Sequence, residues 1–580
     1  MLQIKKVALW SALLISLLLL EGSERSRPLL LINAHILTMD PSQSVANTLL
    51  IKGQHIAAVG GHEEVVAIAP PDAQVIDLQG QTLLPGFVDA HSHFPSTGLA
   101  QTGLDLTPPP VGTVSTVAML IDRVAESART HSPGSWIIGF NYDNAALNEQ
   151  RHPSRAELDA VAPDHPVYLW HRSGHMGVGN SLALAALGHT DDLPAVDSSA
   201  GKVQFKQPFI SIPHTKQPHS HVERDVDGRL TGLLQEAAAP RLGTLLKQMP
   251  LDWLFNSFLL ARDEYLQAGV TTVQNGYADR QSMQILLWAQ RFGVLPQRVV
   301  VWPAHDKLEA SPDLPANGNA RYHVGAIKLI ADGSPQGRTA WLTQPYLPMN
   351  AGFDKGVSAD YRGHPSMPPS QFKAVVARYH EAGFQLALHG NGDASIDLII
   401  DALSAANERA PRTDTRHIIV HAQTIRTDQL QQLQGLDISV SFFPAHTFFW
   451  GDWYRDRLLG EARARRISPL ATADHYGVRY SIHSDAPVTP MSPMQMLWSA
   501  TRRETLSGTI LDSSLAISRE RALRAMTIDA AWQNHLDSDR GSLEAGKLAD
   551  VIVLSGNPLT EPDVRKLRVQ RVWIGGREVY

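Results

Sequence analysis

Apolar positions along this chain keep different rhythms in different regions. Near both ends they fall in short Leu- or β-branched runs broken by glycine: 29–34, 48–53 and 54–60 early, 550–554 and 569–574 late. Runs of this length bounded by turn residues read as strands. Two β-rich ends around a long middle predict one small β-sandwich, built jointly from residues 29–83 and 541–580. The middle carries eight further apolar runs, at 87–91, 270–274, 298–302, 324–329, 384–389, 417–421, 438–442 and 478–483. Helix-like stretches at 283–291, 371–382 and 394–407 lie between some of them. Strand and helix alternating eight times predict an α/β fold, a (β/α)8 TIM barrel over 84–540, with functional residues at the C-terminal strand ends. The gap between the first two runs is too long for one helix or a bare loop. An inserted lid subdomain is therefore expected at about 95–255, with the Pro- and His-rich stretch 207–221 as an exposed loop in it.

One apolar run has no polar face at all. Lys5 and Lys6 precede fourteen apolar or small residues, 7–20, and Glu21 to Arg25 end the run abruptly. That layout fits a secretory h-region and is short for a membrane span. Residues 1–26 are thus expected to export the protein, to the periplasm, as a signal peptide. Small residues are badly placed for cleavage, which leaves an uncleaved membrane anchor open.

Composition changes this picture little, but it narrows the chemistry. With 580 residues, 43% hydrophobic and 19% charged, the chain is a globular protein of more than one domain. Its net charge of -6 is spread without basic runs, which argues against a nucleic-acid partner. There is no cysteine, so disulfides and thiolate metal sites are excluded. Metal ligands would have to be His, carboxylate or modified Lys.

The candidates sit at predicted strand ends. His91 and His93 alternate on the first, where strand geometry puts both imidazoles on one side, able to meet one metal ion. Asp89 shares that side and is expected to orient a ligand. Lys328 lies on the fourth strand. Buried, it would be carbamylated into an anionic ligand bridging two divalent ions, or paired with Asp332. His389 and His421 close the fifth and sixth strands. Asp485 follows the eighth, placed either to take a proton from an attacking water and return it to a leaving nitrogen, or to cap a helix. After the seventh strand, 443–452 is rich in aromatics, and His446 and Trp450 there are candidate substrate contacts.

These stretches resemble the amidohydrolase superfamily, in the amidohydrolase-3 branch that includes N-substituted formamide deformylases. The resemblance rests on Pro-Gly-Phe-Val-Asp-Ala-His-Ser-His at 85–93 and on 135–140, 173–181 and 328–334. It continues through His-Gly-Asn-Gly-Asp at 389–393, 420–423, 484–488 and 541–550, covering nearly the whole chain after the leader. It implies that His91 and His93 hold the more buried ion, His389 and His421 the more exposed one, and a carbamylated Lys328 bridges them. Asp485 would be the acid–base and a further ligand, and His175 and Asn180 in the inserted segment would be substrate contacts, with a structural role for His175 equally open. The chain departs from the pattern at Val420, where Glu is common, and at His483, where Gly is common. His483 shares the Asp485 face and would alter the pocket or add a metal contact.

The expected activity is hydrolysis of a small-molecule, amide-like, non-peptide C–N bond by water activated at a divalent metal, with zinc the expected ion, in one or two copies. Ester or lactone hydrolysis and deamination on the same scaffold remain alternatives, as does a non-catalytic exported metal- or ligand-binding protein. The oligomeric state is left open.

Overall fold

The computed structural model describes residues 27–42, 45–189, 221–225, 227–240, 242–308, 321–348 and 358–580. The leader 1–26 and the stretch 207–220 lie outside them. Among the described residues no helix is long and apolar enough to cross a membrane.

Two parallel sheets form the centre. One runs in the order Phe87–Val88, Val270–Ala278, Arg298–Pro303 and Tyr322–Val324, and the other Ile327–Ile330, Leu386–Gly390, His417–His421, Ile438–Phe442 and Tyr480–Ile482. Strands such as Arg298–Pro303 and His417–His421 are buried at every position. That is why they read as unbroken apolar runs: parallel strands are covered on both faces. The run expected as one strand at 324–329 is two. The chain breaks at Gly325 and Ala326, where the Trp302 ring packs so close that a Cβ on Gly325 would meet it at 3.0 Å. A single bridge, Ala304 to Lys328, links the two sheets there.

No strand ladder joins Tyr480–Ile482 to Phe87–Val88 among the described residues. Two backbone bonds tie that seam instead, from Asp485 N to His91 O at 3.1 Å and from His93 N to Ala486 O at 2.8 Å. Helices pack outside the sheets and begin slightly earlier than the apolar pattern signals. Arg280–Arg291 is capped by Asp279, which accepts from Ser282 N, and Pro369–Glu381 opens with proline in its first turn.

The segment between the first two central strands carries a six-stranded sheet of its own, from Leu104–Asp105 to Leu230–Gln235 and His221–Arg224. Its core includes Leu106, Leu120, Leu158, Leu169 and Val178. At the chain ends, a four-stranded sheet spans Leu29–Ile32 to Gln74–Asp77. A six-stranded sheet combines His35–Leu37, Val45–Ala46 and Thr82–Pro85 with Val551–Leu554, Val569–Ile574 and Arg577–Glu578. Leu31, Leu49, Leu83, Val551 and Trp573 form one core between these two sheets. A buried ion pair fastens the ends to the centre: Arg298 donates to Asp550 through Nε at 2.6 Å and Nη2 at 2.9 Å.

Candidate functional site

His91, His93 and Asp485 converge at the seam. His91 Nε2 is 3.4 Å and His93 Nε2 3.2 Å from Asp485 Oδ1, although 392 residues separate His93 from Asp485 in sequence. The reason differs from the one strand alternation supplies. The strand stops at Val88, and His91 and His93 follow in irregular backbone held by the two seam bonds and by a bridge from His93 to Asn275. Asp89 does not orient either imidazole. Its carboxylate accepts from the Ser92 hydroxyl and from Gln274 N at 3.2 Å and so braces the loop. The group on His91 is Gln274, whose Oε1 lies 3.2 Å from Nδ1.

Lys328 Nζ is 3.2 Å from His91 Nε2. The pairing with Asp332 is absent because Asp332 is already engaged. It accepts from the backbone N of Trp341, Asn391 and Gly392 at 2.8–3.0 Å and from Ser395 Oγ at 2.8 Å. Burial brings the Lys328 amine down to about 7, against the pull of Asp485. Burial, reinforced by nearby cationic groups, also holds His91, His389 and His421 well below the usual imidazole range. Neutral imidazoles of this kind keep a lone pair for a metal.

His389 and His421 end adjacent strands, with His389 Nδ1 3.2 Å from His421 Nε2. His483 is not placed as a further ligand beside them. Its Nε2 is engaged by His421 Nδ1 at 3.0 Å and its Nδ1 by Ser441 Oγ at 2.9 Å. His175 presents its ring to His389, with centroids 5.5 Å apart, and its Nδ1 is 2.9 Å from Glu236 Oε2. Burial alone would lower the His175 pKa, but Glu236 raises it above the ordinary value.

A recess opens on this cluster, lined by Ser173, His175, Ser334, Gln336, His389, Asn391, His421, His446, Asp485 and Val488. Asp485 belongs both to the recess and to the trio with His91 and His93. Two expected substrate contacts are elsewhere. Asn180 is fully buried as the cap of Ser181–Ala186. Its Oδ1 accepts from Val167 N and Ala183 N at 2.9 Å and its Nδ2 donates to His165 O at 2.8 Å, so no polar atom is left for a ligand. Trp450 stands behind His446, ring centroids 5.1 Å apart, and donates Nε1 to Asp143 Oδ2 at 2.8 Å. Residues the sequence reading passed over include Gln274, Glu236, Ser334 and Gln336. Only Ser334 has a local signal, at the end of the 328–334 stretch.

The trio fits a metal ion on its own geometry. Asp485 Oδ1 is buried and accepts no hydrogen bond, which is costly for a carboxylate oxygen unless a cation meets it. The three donor atoms lie within 4.8 Å of one another. Donors of a tetrahedral zinc site, with bonds of about 2.0–2.2 Å, stand roughly 3.3 Å apart, close to the two His–Asp distances here. Asp485 also adopts a left-handed backbone, φ 53°, as does His421 at φ 75°. Strain at such positions gathers where a site requires it.

The sequence profile of the amidohydrolase family matches residues 74–205 and 211–580. The chain belongs to the amidohydrolase family. As an amidohydrolase it is a metal-dependent hydrolase of carbon–nitrogen bonds. It is 31% identical over 567 residues to an N-substituted formamide deformylase of Arthrobacter pascens, covering 95% of this chain and 98% of that one. A putative amidohydrolase of Bacillus subtilis is 24% identical over 524 residues, 88% of this chain and 91% of the relative. In fold, the amidohydrolase is similar to a metal-dependent hydrolase from Pyrococcus horikoshii, with a TM-score of 0.68 at 22% identity over 92% of this chain and 99% of that one. A second, from Pyrococcus furiosus, gives 0.66 at 25% identity over 92% and 100%.

Proposed function

We propose that this amidohydrolase cleaves a small, non-peptide amide, of the N-substituted formamide class, in the recess beside Asp485. The observation that carries the reading is the double membership of Asp485, which faces the His91 and His93 imidazoles and also lines the recess. The similarity to a formamide deformylase along almost the full length of both chains supports the substrate class. His389 and His421, at the ends of adjacent parallel strands, line this recess, which supports reading the two sheets as one (β/α)8-type barrel with the site at its C-terminal mouth.

In this reading His91, His93 and Asp485 would hold one divalent ion, zinc by donor type, and His389 and His421 would hold a second, with a carbamylated Lys328 as a further anionic ligand. Such an ion acts as a Lewis acid that makes water more acidic and polarises a carbonyl. Asp485 takes a proton from the attacking water and delivers it to the departing amine nitrogen. Ser334, Gln336 and Asn391 offer hydrogen bonds to the amide, and His175, braced by Glu236, faces it from the inserted segment. His446 supplies an aromatic wall.

The test combines composition with turnover. Protein purified without chelator is expected to contain divalent metal, to carry a carbamate on Lys328 in a native mass spectrum, and to hydrolyse N-substituted formamides. Asp485→Asn is expected to lower kcat by about 10²–10⁴-fold while metal stays bound. A metal-loaded parent that hydrolyses esters or deaminates rings but leaves formamides intact overturns the substrate class. Full activity in Asp485→Asn overturns its role.

A further inference from the structure

His421 leans on a buried line of side chains that runs away from the recess. His421 Nδ1 is 3.0 Å from His483 Nε2, and His483 Nδ1 is 2.9 Å from Ser441 Oγ. Ser441 Oγ is 2.9 Å from Ser481 Oγ, and Ser481 reaches Gln533 Oε1. All five residues are at most 3% exposed. Protons in such a line are fixed by what each partner can accept.

The far end sets the direction. Gln533 Nε2 donates to Val440 O at 2.8 Å and to Ser439 Oγ at 2.9 Å, and a carbonyl such as Val440 O can only accept. The amide is therefore oriented with Oε1 toward Ser481. Ser481 has one hydroxyl proton, and Oε1 takes it. The proton between the two serine oxygens must then come from Ser441. With that proton spent, the bond between Ser441 and His483 needs Nδ1–H on the imidazole. Neutral His483 is left with a lone pair on Nε2, so the proton in its bond to His421 belongs to His421 Nδ1. His421 then has its free lone pair on Nε2, the nitrogen that faces His389.

We propose that His483 is a positioning residue: through the relay anchored by Gln533 it locks His421 in the Nδ1–H tautomer and presents Nε2 as a metal ligand. This rests on the reading of His389 and His421 as a metal pair. Ligating imidazoles are commonly oriented by a carboxylate or a backbone carbonyl on the other nitrogen. Here a second histidine does that task, and its own polarity is imposed by two serines and an amide.

The experiment measures Zn(II) affinity by chelator competition and the visible spectrum of the Co(II)-loaded protein, in the parent, His483→Leu and His483→Gln. Leucine fills the space without an acceptor, while glutamine restores an acceptor oxygen. His483→Leu is expected to weaken Zn(II) binding about 10–100-fold and to change the Co(II) spectrum, and His483→Gln to recover most of both. Ser441→Ala, a smaller change, is expected to weaken binding by less and serves if His483→Leu does not fold. The inference is overturned if the folded variants bind Zn(II) as tightly as the parent with the same Co(II) spectrum, or if Leu and Gln behave alike. A parent that takes up neither ion fails differently: the metal-site reading itself falls, and this inference with it.

Discussion

At the scale of single residues, this site depends on close approach as much as on donor type. The Nδ1 edge of the His91 ring lies against Gly276, where a Cβ would meet Nδ1 at 2.2 Å and the neighbouring ring carbon at 2.3 Å. His91 also stacks on Trp302, centroids 5.3 Å apart and planes within 14°. With one edge against a backbone and a face on an indole, the buried ring cannot move aside cheaply in a dense interior. Gly276→Ala is therefore expected to push His91 off Asp485 and cut metal content sharply, with the fold kept. Metal analysis beside circular dichroism checks it, and unchanged metal content would refute it. The position is a glycine for reasons of space, since its backbone is not left-handed.

At the scale of elements, the inserted segment is tied to the helix that carries His446 by a buried carboxylate. Asp143 accepts from Trp450 Nε1 at 2.8 Å, and His171 Nε2 lies 3.5 Å away. Burial by itself would raise the Asp143 pKa, but His171, Arg172 and Trp450 outweigh it and hold the group at about 2. The folded value is thus below the unfolded one of about 3.9. The contribution is present above pH ~4 and is lost as pH falls through about 2, amounting to roughly 2 kcal/mol. Asp143→Asn is expected to lower the urea midpoint at pH 7, with the gap to the parent narrowing as pH drops toward 2. A gap constant with pH would refute it. Elements are also where the sequence is most and least readable. The runs at 417–421 and 438–442 coincide with strands because burial on both faces leaves an unbroken apolar signature. His91 and His93 do come together at Asp485, but alternation is not the reason, since it applies to strands and these residues lie past one. The motif around Asn180 marks that the residue matters without separating a helix cap from a ligand contact. Glu236, Gln274 and Gln533 leave no local pattern at all. Each acts across a distance in sequence that only the fold closes.

At the scale of the whole molecule, the terminal sheets and the central strands are joined by Arg298 and Asp550, both nearly buried. Removing one partner strands the other charge in the interior, which costs more than the pair is worth. Arg298→Ala is expected to destabilise the protein by about 3–5 kcal/mol, and the double change Arg298→Leu with Asp550→Leu by distinctly less. Denaturation of the three proteins decides it, and equal losses in the single and double variants would refute it. The open seam has a consequence for how the protein is made. A ribosome releases His91 and His93 early, but their carboxylate partner emerges almost four hundred residues later. Until then this trio offers only its two imidazoles to a passing ion. Secure capture at this trio has to wait until the last central strand has docked beside the first, so an ion held there reports that every strand between them has been made.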